Sequence, residues 1–174
     1  MSVKQGLLAL LEERPMYGYQ LRAEFEARTG ATWPLNVGQV YTTLARLNRD
    51  RLVEPAGEDA EGHAFYRATD AGRSAVANWF ETPVSRETPP RDELAIKLAI
   101  AVTLPGVDVA GIVQRQRAAT MRALQDYTRL KSSAGDPDDL AWLLVLESLI
   151  FAADAEIRWL DHCEARLARR NTSG

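Results

Sequence analysis

The sequence predicts a mainly α protein in two parts: an N-terminal helical domain carrying a two-stranded β-hairpin, and a C-terminal domain of long helices. Three observations predict it. Apolar residues recur at helical spacing through most of the 174 residues. That period breaks once, between Leu52 and Ala68, where Leu52-Val53-Glu54 and Ala64-Phe65-Tyr66-Arg67-Ala68 flank a polar loop rich in turn formers. Prolines at 83, 89 and 90 then separate short helical segments from long ones. The expected division is residues 1–82, a linker at 83–90, and residues 91–174.

The first helix runs from about Val3 to Glu13, with Leu7, Leu8, Leu10 and Leu11 on its apolar stripe, and Pro15 forbids its continuation. Met16-Tyr17-Gly18-Tyr19 opens a second helix to about Thr29, which presents Leu21 and Phe25 on one face and is closed by Gly30. Asn36 is a good N-cap and Gln39, three residues on, completes a capping box, so a third helix starts at Val37. Its apolar stripe is Val37, Val40, Leu44 and Leu47; the opposite face carries Gln39, Thr42, Thr43, Arg46 and Arg49. An amide and small hydroxyls early in a helix, with arginines one and two turns later, suit a surface that reads base edges and grips phosphates. The same pattern also describes an ordinary solvated face, and the neighbourhood decides between the two. Three short helices joined by tight links make a helix-turn-helix, and a hairpin straight after the third makes it a winged helix. Thr69 caps a fourth helix to about Glu81, with Ala75, Val76, Trp79 and Phe80 available for burial.

In the second half, residues 91–104 form a helix whose Leu94, Ile96, Leu98, Ile100 and Val102 surround a mostly apolar cylinder, expected to be buried on several sides and stopped by Pro105-Gly106. Asp108 caps a helix from Val109 to about Lys131. The last helix opens with Asp136 as N-cap, Pro137 in the first turn and Asp138 and Asp139 at the positive end of the dipole, and it extends to about Ala168. Leu143, Leu146, Ile150, Ala153, Ile157, Leu160 and Leu167 follow steps of three and four along it, beside a second stripe of Trp142, Val145, Leu149, Ala152, Trp159 and Cys163. Two stripes exceed what one neighbour requires, so one is read as intrachain core and the other as a dimer interface; a fully internal helix in a larger bundle is the alternative. The residues assigned to the interface or to an effector pocket are Trp142, Leu146, Glu147, Ile150, Phe151, Ile157, Trp159 and Leu160. For Glu147, inside the apolar run, an arginine from the preceding helix or a ligand would supply the partner its carboxylate needs.

Composition narrows the function classes. A net charge of −3 lacks the bulk basic footprint of a nucleic-acid binder, but Arg46, Arg49 and Arg51 make the third helix locally positive. A lone cysteine, Cys163, and two histidines, His63 and His162, leave no cysteine-based zinc site and few ligands of any kind, so neither metal nor cofactor is expected. No run reaches the roughly 20 apolar residues of a membrane span, and the chain does not open like a signal peptide, which points to the cytoplasm. Without a phosphate-cradling glycine loop, a nucleophile elbow or clustered histidines, nothing points to an enzyme.

Residues 5–80 resemble the PadR family of bacterial transcriptional regulators. The resemblance rests on four pieces in order: Leu7-Leu8-Ala9-Leu10-Leu11; Pro15-Met16-Tyr17-Gly18-Tyr19-Gln20-Leu21; the run from Trp33 through Gly38 and Tyr41 to Leu47; and Phe65-Tyr66-Arg67-Ala68-Thr69-Asp70-Ala71-Gly72-Arg73. It implies a winged-helix repressor that dimerises through C-terminal helices and is released from a palindromic operator in double-stranded DNA by a small molecule, here an aromatic or hydrophobic effector. It also implies that at least one of Tyr17, Tyr19 and Tyr41 turns its hydroxyl to phosphate. The expected DNA-binding set is therefore Tyr17, Tyr19, Asn36, Val37, Gln39, Tyr41, Thr42, Thr43, Arg46, Arg49, His63 and Arg67. Two positions depart from the family pattern. Arg51 stands where relatives have a helix-capping Gly, and the wing tip Glu58-Asp59-Ala60-Glu61 is acidic, so contact from the wing is assigned to His63 and Arg67. The acidic wing keeps open an alternative, a winged helix that binds protein instead of DNA.

Overall fold

The computed structural model describes residues 2–87, 90–133 and 139–172. Its elements are α1 (Ser2–Glu13), α2 (Gly18–Arg28), α3 (Val37–Arg49), β1 (Val53–Glu58), β2 (Ala64–Ala68), α4 (Asp70–Glu81), α5 (Glu93–Ala101), α6 (Val109–Ser133) and α7 (Leu140–Thr172). The fold is mainly α with one two-stranded antiparallel sheet. The chain divides into two compact units, residues 1–85 and 86–174.

In the first unit the leucines of α1 close over α2, α3 and the hairpin. Leu7, Leu8, Leu11, Met16, Leu21, Val40, Leu44, Leu47 and Val53 are all buried in one cluster. Each such leucine contributes about 1.5–3 kcal/mol relative to an exposed one. Helix α2 ends at a left-handed Gly30, whose N–H bonds to Ala27 O at 3.2 Å, while Ala31 N–H reaches Glu26 O at 2.7 Å.

Helix α3 ends the same way without a glycine. Arg51 has φ +57°, its N–H bonds to Asn48 O at 2.9 Å, and Leu52 N–H bonds to Leu47 O at 2.9 Å. The chain therefore keeps the left-handed cap and places a side chain on it, accepting the strain that a glycine would avoid. The carbonyls that follow hold α4: Thr69 Oγ1 donates to Arg51 O at 2.8 Å and Thr69 N–H to Leu52 O at 3.0 Å. Gly72 is required at this junction, because a Cβ there would lie 2.1 Å from Leu52 O.

The hairpin pairs Val53 with Ala68, Glu54 with Arg67 and Pro55 with Tyr66, then shifts register before Glu58 meets Ala64. Met16 and Tyr66 exchange backbone hydrogen bonds at 3.1 and 3.0 Å, which ties the start of α2 to the wing. Thr69 caps α4 through Gly72 N–H as expected. Val76 is buried, but Phe80, one turn further on at the end of α4, is 71% exposed.

The second unit is built on α6 and α7, which run antiparallel. Their cross-links fix the direction: Gln114 with Glu164, Arg117 with Asp161, Thr120 with Glu156, and Lys131 with Glu147. Four expectations change here. Helix α5 is shorter than the predicted 91–104, starting after an Asp92 N-cap. It is also not surrounded by protein: Leu98 and Ala101 are buried, whereas Ile96, Ile100 and Leu104 are more than half exposed. Helix α7 starts at Leu140, with Asp139 Oδ1 accepting from Trp142 N–H at 3.1 Å, so Asp139 takes the capping role given to Asp136. The positions of Asp136, Pro137 and Asp138 lie outside the described residues. Finally, Leu146, Ile157 and Leu160 are buried within the chain. They are expected at a dimer interface, but each is buried within the chain, Leu160 packing with Leu98 of α5 and Val113 of α6.

Candidate nucleic-acid interface

Helix α3 positions most of the predicted contacts. Asn36 Oδ1 accepts from Gly38 N–H at 2.8 Å and Gln39 Oε1 accepts from Asn36 N–H at 3.2 Å, so the capping box is formed. Val40, Leu44 and Leu47 are buried, which forces the other face of the helix into solvent. There Asn36, Gln39, Thr42, Thr43 and Arg46 line one shallow hollow, together with Val3 of α1 and Leu35.

The hydrogen bonds on this face decide what it can offer. Thr42 Oγ1 donates to Gly38 O at 2.8 Å and Thr43 Oγ1 to Gln39 O at 2.7 Å. Both hydroxyls therefore have their protons committed to the helix and present methyl groups and acceptor lone pairs outward. Gln39 uses its oxygen in the cap and leaves its amide N–H groups for a partner. Arg46 has no ion pair among the described residues and is exposed; it is the free cation of the face. Arg49 leans on Asp50 at 3.2 Å, and Asp50 is also held by Lys4 at 2.8 Å, with both cations keeping its carboxyl below the usual carboxylate range.

The tyrosines separate into different roles. The Tyr41 ring lies over Gly18, where a Cβ would come within 2.7 Å of its Cζ, so the glycine allows α3 to pack against the start of α2. Tyr19 is exposed. Tyr17 stacks on His63 with centroids 4.5 Å apart and meets Phe65 edge-on at 5.3 Å. The wing tip is thus fastened to α2 through an aromatic sandwich.

At the wing the basic groups are already paired. His63 Nδ1 lies 2.9 Å from Asp59 Oδ2, and Arg67 bonds to Glu54 at 2.8 Å. The Asp59 carboxyl is held down first by the His63 backbone N–H and then by its side chain. Asp59, Glu61 and His63 bring their ligand atoms within 4.8 Å of one another. The His63–Asp59 pairing accounts for that arrangement.

Glu26 is the residue that sequence reasoning missed. Its Oε1 accepts from Leu35 N–H at 3.0 Å and from Arg22 at 2.9 Å, fixing the turn that feeds α3. Arg22 first, and the Leu35 N–H second, hold its carboxyl below the usual range. A contact between residues nine apart, from the end of α2 across the turn, leaves no periodic signal in the sequence.

The predicted effector residues are not gathered into one place. Trp142 is half-buried while Phe151 and Trp159 are exposed, and none of the described ring pairs includes them. Glu147 bonds to Lys131 at 2.5 Å, so its partner comes from the preceding helix as a lysine instead of an arginine.

Residues 7–78 match the family described as the transcriptional regulator PadR-like family. The chain carries a PadR-like domain. Residues 90–168 match a second family, described as virulence activator alpha C-term, so both units have counterparts. A probable transcriptional regulator of Mycobacterium tuberculosis, Rv1176c, is 28% identical over 98% of this chain and 100% of its own length. The virulence activator AphA of Vibrio cholerae superposes with a TM-score of 0.71 at 25% identity, covering 97% of this chain and 99% of its own. PadR of Bacillus subtilis, solved in complex with operator DNA, gives a TM-score of 0.72 at 19% identity over 95% of this chain and 99% of its own. The same protein has been solved with p-coumaric acid. In this PadR-like domain, α3 is the second helix of the helix-turn-helix and β1–β2 is the wing. Among the described residues no helix is long and apolar enough to cross a membrane.

Proposed function

We propose that the chain is a cytoplasmic, sequence-specific DNA-binding transcriptional regulator, acting as a homodimeric repressor on a palindromic operator. One observation carries the reading: α3 buries Val40, Leu44 and Leu47 and turns Gln39, Thr42, Thr43 and the unpaired Arg46 into a single solvent-facing hollow. A helix so presented, with a cation one turn beyond small polar groups, has the chemistry of major-groove readout. The family match and the likeness to an operator-bound PadR support it. Arg46 reads guanine, Gln39 donates to a base acceptor, and the Thr42 and Thr43 methyl groups contact thymine; Tyr19, Arg49 and the N-terminal backbone of α3 at Asn36 and Val37 lie toward phosphate. The C-terminal helices set the spacing of the two α3 helices. A small aromatic or hydrophobic effector, in the manner that Bacillus subtilis PadR takes p-coumaric acid, would act by favouring one spacing over another.

The test is selection of bound duplexes from a random pool, followed by fluorescence anisotropy on the recovered site. Wild type should bind with a steep salt dependence, and Arg46→Ala should lose about tenfold to a hundredfold in affinity and relax preference at one base pair per half-site. Equal binding by wild type and Arg46→Ala removes the assignment of α3. The pairing of the wing's Arg67 with Glu54 and of His63 with Asp59 favours a second reading in which the wing meets a basic protein surface. Failure to recover any preferred duplex, with a protein partner captured through the wing, selects that reading.

A further inference from the structure

Besides the hollow on α3, the N-terminal unit carries a pocket of about 440 Å³ among α1, α2 and α4. Four aromatic side chains gather there. Phe25 comes from α2, Trp33 from the turn before α3, and Trp79 and Phe80 from α4, with the last two ring centroids 4.8 Å apart. Phe25 and Trp79 are half-buried, and Trp33 and Phe80 are exposed. The wall from α1 includes two small residues, Gly6 and Ala9, which lie three apart and so share one side of the helix. A Cβ at Gly6 would come within 3.1 Å of Phe25 Cε2; a glycine inside a helix otherwise costs stability. Small residues facing large rings leave the space open, and its volume falls within the range of small-molecule sites, about 300–1,000 Å³.

The charge accounting decides what the pocket selects. Arg28 is the one charged residue of the lining. Its two terminal nitrogens meet the two carboxylate oxygens of Glu13 at 2.6 Å each, and Nη2 also meets Glu24 at 3.2 Å. Glu24 lies 3.7 Å from Arg14 as well, so two guanidinium groups and two carboxylates cancel. Thr29 Oγ1 donates to Phe25 O at 2.8 Å, which commits its proton to α2. An anionic ligand would have to displace Glu13 from a bidentate pair, and a cationic one would meet the Arg28 guanidinium. Ring surface is what remains on offer, and it suits another ring, met edge-on or offset.

We propose that this pocket binds an uncharged, planar aromatic molecule, held between the α1 wall at Gly6 and Ala9 and the rings of Phe25, Trp33, Trp79 and Phe80. The site lies wholly within the N-terminal unit, and its occupancy does not depend on what α3 reads.

The chain has four tryptophans, of which Trp33 and Trp79 line the pocket while Trp142 and Trp159 belong to the other unit. Their indole N–H signals in nitrogen-15 NMR of the full-length protein, assigned with single Trp→Phe variants, report where a probe binds. At neutral pH 2-naphthol should shift the Trp33 and Trp79 signals saturably and leave the other two in place. The anion 2-naphthoate and the cation N-methylquinolinium should each need about tenfold more. The saturated analogue decahydro-2-naphthol should bind severalfold more weakly, because it lacks the ring-on-ring contact. Ala9→Leu, which fills the pocket, should weaken 2-naphthol at least tenfold, and Trp33→Ala, read at Trp79, should weaken it severalfold. Circular dichroism checks that Ala9→Leu keeps its helices; if it does not fold, the exposed Trp33→Ala and the three control ligands decide. No shift at Trp33 and Trp79 up to the solubility limit of 2-naphthol overturns the proposal, whether the pocket is closed by other protein or has no affinity. So does equal binding by either charged probe or by the saturated analogue, or a folded Ala9→Leu that binds like wild type.

Discussion

Arg51→Gly tests whether the end of α3 holds strain for the sake of its side chain. Arg51 sits at φ +57° in a cap whose two hydrogen bonds, Arg51 N–H to Asn48 O and Leu52 N–H to Leu47 O, are both 2.9 Å. The backbone geometry is complete, so substitution changes no hydrogen bond there. A left-handed non-glycine residue costs about 1–2 kcal/mol, and the extra freedom of glycine in the unfolded chain returns about 0.5–1 kcal/mol of that. The net expectation is a stabilisation of about 0.5–1 kcal/mol, or about 1–4 °C in Tm for a chain of this size. Arg51→Ala keeps the strain and should gain nothing. Urea unfolding of the three proteins at one fixed protomer concentration measures this. If Arg51 grips phosphate from the end of the recognition helix, both variants should bind DNA more weakly and show a salt slope reduced by about one. Stability rising while affinity falls is the signature of strain kept for function. Arg51→Gly no more stable than Arg51→Ala would refute the account.

Gly72→Ala places a methyl 2.1 Å from Leu52 O and 3.3 Å from a Leu8 methyl; it should destabilise the N-terminal unit by about 1–3 kcal/mol by overpacking, read by thermal unfolding. Glu26→Ala should speed hydrogen exchange at Leu35 about tenfold and weaken DNA binding, though Glu26 only positions the turn before α3. Because the folded Glu26 carboxyl lies below its ordinary value, its contribution is present above the ordinary carboxylate range and is lost as pH falls through the folded value. Exchange at Leu35 in the wild type should therefore rise toward the Glu26→Ala rate in acid. A fragment ending at Pro90 should be monomeric by light scattering and bind a palindromic site far more weakly than the full chain; a fragment that binds as tightly contradicts the spacing role of the C-terminal helices.

What could be read from sequence was what local geometry decides. The Asn36–Gln39 capping box and the Thr69 cap both involve groups within a few residues of one another. Their chemistry therefore shows as a spacing. Lys4 with Asp50, 46 residues apart, and Glu26 with Leu35 join segments whose approach only the packed fold brings about. The pairing of Arg67 with Glu54 depends on hairpin register, which the irregular step between Pro55 and Glu58 makes unreadable from alternation alone. In the second half, periodicity located the helices, but an apolar residue says only that it is better covered. It does not say by what. That is why periodicity puts Leu146, Ile157 and Leu160 at an interface although they are buried within the chain, and why it encloses α5.

The two units differ in how far they complete themselves. The N-terminal unit encloses its leucines with its own helices and wing. In the C-terminal unit, successive residues on a helix are rotated by about 100°, so Leu144 and Leu146 face opposite ways. Leu146 is fully buried against this chain. Leu140, Leu144 and Phe151 share the other face and are 62, 59 and 68% exposed. Ile96 and Ile100 of α5 are left open as well. At about 25 cal/mol for each Å² of apolar surface, large side chains on one face represent several kcal/mol that a second copy would recover. The division of labour follows from this: a domain that folds complete can offer a polar recognition helix to DNA, while a helical unit that does not close alone provides the reason for two recognition helices to come as a pair.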